Sequence, residues 1–431
     1  MGGIGGPGVG FDARFISDAV IAPVWVLVNV LLGLAAVRLS RRLFPGEPIS
    51  ATITHVMVCC CGCVVGAALL LGTFGALSGP GLLFAVWGLT IAGLILPSRL
   101  LGAGRVIPEP GRDTDGPQWV EWCWLAAWGL TLAAWVVHIV CDGLRQFPSD
   151  WDSLMYHIPL VNHWLQAGSL YAPDAALWSN PGNGEVIGLW MVGPFSGDFL
   201  IGLTNLPVAV LLGFGTVEAA RAFGVGRSLS HIAGLLVVAN GVVLRQLVDA
   251  ENDVAVAGFF IGAVGYGVRY ARDPRPANLT LGAVCLGLLV GTKFYAAAYA
   301  GALWVIVVQL TVAVRGRQGA AVATRWAVGA AVLGGYWYIR NTWVTGSPLY
   351  PKGLDPTSDP ILQVQPHFYT SSFLGDGRPE LLPLALRASC GRRARSTWPL
   401  SSAFLWCSGG SPFQGSAASA ARTVRWTGLP G

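Results

Sequence analysis

The residues best suited to chemistry gather in one stretch, SDWDSLMYHIPLVNHWLQAGSLY (149–171), which holds Asp150, Asp152, Tyr156, His157, His163 and Trp164 between two apolar runs. A carboxylate at a membrane–water boundary can take a proton from a sugar or lipid hydroxyl as that hydroxyl attacks, so Asp152 is the candidate general base. The plainer alternative is that Asp152 only caps a helix starting at Ser153, which would set Tyr156 one turn along on the same side. Asp150 is the rival cap if the helix starts earlier, and otherwise an orienting neighbour of the base. Pro159 falls inside this helix and either kinks it or opens a second helix running to Ala167, with Gly168 ending it. Such a short amphipathic helix would lie at the membrane surface, with Trp164 and Leu160 toward lipid and His163 and Asn162 outward. His157 and His163 stand six positions apart and point in different directions on a continuous helix, so they make a poor metal pair. Tyr156 and His157 are better taken as hydrogen-bonding contacts to a polar substrate.

Further candidates lie downstream. The turn DAEND (249–253) brings Asp249, Glu251 and Asp253 together. It is either a solvated loop with Asp253 as helix cap, or a second acidic site that binds a cation, holds a sugar hydroxyl or orients a base. Lys293 in LLVGTKFYAAAY ends an apolar run, where it either snorkels to the interface or meets a phosphate. Arg340 in GGYWYIRNTWVTGSPLYP sits beside an aromatic belt and could clamp a lipid phosphate bidentately. Glu185, at the end of the 142–185 loop, joins the substrate-contact candidates. A divalent cation is left open as a cofactor.

These residues need a frame. The chain has 431 residues, 53% hydrophobic and only 11% charged, with a mean hydropathy of +0.58. Soluble domains carry roughly 25% charge, so the deficit points to lipid. The pattern predicts an all-α polytopic membrane protein with about ten transmembrane helices. The spans are 19–37, 53–71, 81–96, 119–141, 199–214, 232–247, 254–270, 279–290, 294–314 and 326–338, with a short apolar segment at 186–192. The formal charge of +5 is nearly all arginine, placed in short loops, which speaks against a nucleic-acid surface. Cys59, Cys60, Cys61 and Cys63 wrap around a helix rather than lining one face, and suit small-residue packing better than a metal or redox site.

Arginine placement orients the spans. Clusters at Arg38, Arg41 and Arg42; Arg99, Arg105 and Arg112; Arg221 and Arg227; Arg269, Arg272 and Arg275; and Arg315, Arg317 and Arg325 all fall on one side, taken as the cytoplasm. The loop 142–185, the DAEND and GTK turns and the segment from Arg340 onward fall on the other. Beyond about residue 385 the sequence becomes rich in Ser, Gly, Ala and Arg. This stretch is expected to be either a disordered tail or, by preference, out-of-frame translation of a gene that once encoded further spans. The division is thus 1–118, accessory helices; 119–351, a transmembrane core; 352–386, an outer-face segment; and 387–431, a low-complexity tail.

Four motifs carry a resemblance. WDSLMYHIPLVNHWLQAGSL resembles the D-x-x-x-Y-H-x-P first-loop motif of GT-C-fold glycosyltransferases, in particular the bacterial family 39 (protein mannosyltransferase-like) group. NDVAVAGFF is similar to the second acidic motif of that group, and GTKFYA and WYIRNTWVTGSPLYP resemble two further stretches. The match covers about residues 119–351, although three spans precede the core where the family usually has one. The resemblance implies a bacterial inner-membrane enzyme that moves a sugar from a polyprenyl-phosphate donor to a lipid, glycan or protein acceptor, with inversion. Asp152 would be the base, and Lys293 and Arg340 would face the phosphate. A lipid or solute transporter and a non-catalytic truncated remnant are the competing expectations; the gathering of charge on one outer face, rather than at the midplane, counts against the transporter.

Overall fold

The computed structural model describes residues 21–96, 118–145, 147–195 and 197–351. The chain divides into two units, Met1–Leu354 and Asp355–Gly431, and every described residue belongs to the first. The expectations for 352–386 and 387–431, and the arginines at 99, 105 and 112, lie outside the described residues.

All described secondary structure is helical. Six helices are long and apolar enough to cross a membrane. They are α1 (Ile21–Leu43), α2 (Ile49–Thr73), α4 (Gln118–His138, whose crossing segment runs Trp122–Gly143), α7 (Leu206–Ala222, whose crossing segment starts at Ile201), α10 (Asp253–Arg272) and α12 (Phe294–Arg315). The other four expected spans are apolar helices of 10–17 residues: α3 (Gly79–Ile95), α8 (Arg227–Val238), α11 (Pro276–Val290) and α13 (Gly319–Leu333). A helix of 15 residues reaches about 22 Å, short of the roughly 30 Å hydrocarbon core. Two of the four are cut short by local chemistry. After α8 the Asn240 side chain accepts the Val242 N–H at 2.9 Å and starts α9 (Gly241–Gln246) afresh. After α13 the Gly334–Gly335 pair interrupts the run, and α14 (Gly335–Thr345) follows. Between α4 and α7 lie α5 (Ile158–Ala167) and α6 (Asn183–Val192).

The most apolar window of α10 is 78% buried and that of α4 only 6%, so α10 is central and α4 peripheral. Helix α10 packs on α7, α11 and α12; α11 packs on α13; and α2 packs on α7 and α11. Small residues permit this, because without water between helices close backbone approach supplies the packing. A Cβ on Gly287 of α11 would run into the Gly329 carbonyl of α13, and one on Gly329 into the Ala283 carbonyl.

The described arginine clusters gather at one end of the helices. There Glu47, in the turn between α1 and α2, accepts Arg269 and Arg275 at 2.7 Å each. Glu218 of α7 accepts Arg269 at 3.3 Å and the Ser50 hydroxyl at 2.6 Å. Burial alone would raise the pKa of Glu47, but the charges and hydrogen bonds of the two arginines hold it down at about 2. The buried network ties the α1–α2 turn to α7 and α10 at one level. The acids singled out above lie at the opposite end.

Candidate active site

The acidic stretch folds around Asp150. Helix begins at Trp151, and Asp150 Oδ2 accepts the Asp152 N–H at 3.0 Å, so Asp150 is the cap that the sequence left as a rival. Asp152 makes no side-chain cap. Its Oδ2 instead accepts the Tyr156 hydroxyl at 3.1 Å, as the four-residue spacing allows. Residues 153–157 form a π turn that closes with the Ile158 N–H on the Ser153 carbonyl. It sits just before Pro159, which cannot donate to the carbonyl four residues back. The expected proline distortion is therefore a widened turn that runs on into α5. The α5 face expected to meet lipid is buried in protein: Trp164 is 0% and Leu160 1% exposed. Trp164 stacks on Trp337, with ring centres 5.5 Å apart. This corrects the assignment of that face to lipid.

The π turn aims two side chains inward. Ser153 donates to Asp249 Oδ1 at 2.6 Å, and His157 Nδ1 meets Glu185 Oε1 at 2.8 Å, with His157 and Glu185 both buried. Glu185 is in the first turn of α6, and its Oε1 also accepts Asn252 Nδ2 at 3.0 Å. The 150–157 helix, α6 and the 249–253 turn are thus bolted together by polar contacts.

A second row of contacts joins the acids themselves. Arg245 donates to Asp150 Oδ1 at 3.1 Å and to Glu251 Oε2 at 3.2 Å. Gln246 donates to Glu251 and, at 3.3 Å, to Asp253 Oδ2, while its Oε1 accepts the Val254 N–H at 3.1 Å. Asp253 is ion-paired with Lys293 and accepts the Tyr295 hydroxyl at 2.8 Å. Asp150, Asp152, Tyr156, His157, Glu185, Glu251, Asp253 and Lys293 therefore converge in one connected cluster.

Proton affinities follow from this arrangement. Burial would raise the pKa of Asp150, but hydrogen bonds from the Glu251 carboxyl and the Asp152 N–H, with the nearby Arg245, hold it below its ordinary value. Burial, and then the hydrogen bond to Asp150, push Glu251 up to about 8. The arrangement thus favours a proton on Glu251 over one on Asp150. Burial also raises Asp249. Tyr156 is raised by burial and then by the charges of Asp152, Glu185 and Asp253, so it stays a hydrogen-bond donor.

Arg340 is not part of the cluster. It is buried, and donates to the carbonyls of Leu170 (3.1 Å), Trp178 (2.7 Å) and Asn180 (3.4 Å). Its guanidinium lies between the rings of Trp178 and Trp337, at 5.3 and 4.9 Å. Arg340 locks the 170–180 loop onto α14, which corrects its assignment as a phosphate clamp. Among the described residues no three His, Cys, Asp or Glu side chains form a metal-holding group. The acids are engaged by Arg245, Gln246 and Lys293.

Arg245, Gln246, Ser153, Asn252 and Tyr295 were not among the candidate site residues. One signal was available for the first of these: Arg245 stands beside the acids, at the end opposite the arginine clusters. Compared with known proteins, the chain matches no family model, no curated protein and no solved structure.

Proposed function

We propose that the chain is a multi-pass membrane glycosyltransferase of the GT-C kind, which moves a sugar from a polyprenyl-phosphate donor to an acceptor hydroxyl with Asp152 as general base. The observation that carries this reading is the pairing pattern in the acid cluster. Asp150 and Glu251 share Arg245, Asp253 holds Lys293, and Asp249 is buried against Ser153. Among the described residues, Asp152 keeps a half-buried carboxylate engaged by the Tyr156 hydroxyl and by no cation. A base must offer a lone pair to its substrate, and a carboxylate bound to a guanidinium has little to offer.

The acceptor hydroxyl gives its proton to Asp152 while its oxygen attacks the anomeric carbon from the face opposite the phosphate. The bond from that carbon to the phosphate oxygen breaks, and the lipid phosphate leaves with the electron pair. The leaving group is already an anion, so no general acid is needed. Lys293 and Arg245 supply positive charge nearby, in place of Arg340. The positive-inside bias supports a cytoplasmic arginine end, and with it an outer-face position for the acid cluster in a bacterial cell membrane. Chemistry gathered at one end suits transfer at the membrane surface better than transport, which needs a midplane site.

The test is sugar transfer by the purified protein from radiolabelled polyprenyl-phosphate sugars to membrane extract. Asp152→Asn should lower the rate by about 10²–10⁴-fold, the usual contribution of a general base. Transfer that survives the substitution would remove Asp152 as base, and no transfer with any donor would overturn the proposed activity.

A further inference from the structure

The arginine end carries a feature that the transfer site does not use. A cavity of about 820 Å³ lies between α2, α4, α7 and α8. That volume falls within the roughly 300–1,000 Å³ of sites that bury most of a small ligand. We propose that it binds an anionic phospholipid from the leaflet at the arginine end. The proposal does not depend on the glycosyltransferase reading.

Depth, charge and unmet polar groups agree. Trp124, Trp128 and Trp135 line the cavity along α4. From Trp124 to Trp135 the helix rises about 16 Å, close to half of a roughly 30 Å hydrocarbon core. The cavity is therefore about as deep as one leaflet. Its lining is mainly apolar and aromatic, with Ser50, Thr131 and His231 as uncharged polar members, and its positive charge sits at one end, where Arg221, in the last turn of α7, and Arg227, the first residue of α8, contribute. Guanidinium groups recognise phosphate. Helix α8 also begins without a side-chain cap at Gly226, and uncapped N–H groups favour an anion there.

The indoles give the independent sign. Trp128 donates its N–H to His231 Nδ1 at 3.1 Å. By contrast, the indole nitrogens of Trp124 and Trp135 are buried with no hydrogen-bond partner, and Trp135 is only 5% exposed. A buried donor without an acceptor is costly, and the Trp124 indole, which stacks on His231 at the arginine end, lies at the level of the ester and phosphate oxygens of a lipid, whereas Trp135 lies at acyl-chain depth. The peripheral position of α4 gives a lipid lateral access from the bilayer.

The experiment is native mass spectrometry of the purified full-length protein with phosphatidylglycerol and phosphatidylcholine of identical acyl chains. Wild type should retain the anionic lipid about tenfold more strongly, as two arginines near a phosphate warrant. Arg221→Gln with Arg227→Gln should bring the two lipids within about twofold of each other. Gly129→Leu is the second variant: it lines the cavity, and a Cβ there meets nothing within 4 Å, so the larger side chain enters the open space. It should cut retention of both lipids by about tenfold. Thermal unfolding close to wild type establishes that each variant folds. Equal retention of the two lipids by wild type, or retention unchanged in Gly129→Leu, would overturn the proposal. Displacement of the lipid by millimolar inorganic phosphate would also overturn it, in favour of a small-anion site.

Discussion

Glu251→Gln should abolish a pH dependence of stability that the wild-type protein carries. The Glu251 carboxyl is pushed from its ordinary 4.5 to about 8, first by burial and then by the carboxyl of Asp150 beside it. The fold thus favours the protonated form. Folded protein keeps this proton while the unfolded chain releases it from about pH 4.5 upward. The stabilisation is therefore complete below the unfolded pKa, erodes as pH rises, and is gone above about 8. One proton is worth at most about 1.4 kcal/mol per pH step, so between pH 6 and pH 8 the loss approaches about 2 kcal/mol. Asp150 is held low, so its own proton change lies below this window, whereas the raised Asp249 adds in the same direction. Glutamine imitates the protonated acid: it keeps an oxygen for Arg245 and Gln246 and has nothing to ionise. The assay is the thermal unfolding midpoint by tryptophan fluorescence in detergent, from pH 6 to pH 9, for both proteins. Groups common to both cancel in the difference. Wild type should lose stability relative to Glu251→Gln as pH rises; parallel curves, or a wild type that gains on the variant, would refute the assignment of the proton.

Three other perturbations probe the frame and the site. Lys293→Met frees Asp253 from a partly exposed pair, so stability should change by about 1 kcal/mol or less, while sugar transfer falls at least about tenfold. A large loss of stability with unchanged transfer would make Lys293 structural. Arg340→Lys keeps the charge but not the planar fork that reaches three carbonyls, so unfolding should ease by about 2–3 kcal/mol with the donor KM unchanged; a raised KM would restore a donor-binding role. Gly287→Ala pushes a methyl group against the Gly329 carbonyl and should cost about 1–3 kcal/mol, read as a lower unfolding midpoint. A midpoint equal to that of wild type would refute the close approach of α11 and α13.

What could be read from the sequence was set by what linear spacing encodes. Apolar runs located the six crossing helices and the four shorter ones, and arginine placement separated the two ends. Periodicity marks an apolar face but not what covers it. Trp164 and Leu160 were therefore assigned to lipid, when the cover is Trp337 and its neighbours, far along the chain. Arg340 was misassigned for a similar reason. An arginine beside aromatics at a boundary suits a phosphate, and only the folded chain brings it the carbonyls of residues 170–180. The links that build the site span similar gaps: Ser153 to Asp249, His157 to Glu185, and Asp150 to Arg245. No local pattern announces such pairs.

The arrangement nevertheless explains why DSLMYH has the form it does. Positions 153 and 157 are four apart, share a face, and both point inward, where Ser153 and His157 anchor the helix to the 249–253 turn and to α6. Positions 152 and 156 are also four apart and lie one step around, where Asp152 and Tyr156 pair with each other at 3.1 Å and remain half-buried. Asp150 takes the capping task, and Pro159 imposes the wide turn that carries both pairs. Each structural duty that could have consumed the Asp152 carboxylate falls to a neighbour: capping to Asp150, anchoring to Ser153 and His157, charge pairing to Asp150 and Asp253. An acid relieved of structural work in a chain so poor in charge calls for a chemical reason, and that inference, rather than the acid's mere presence, singles out Asp152.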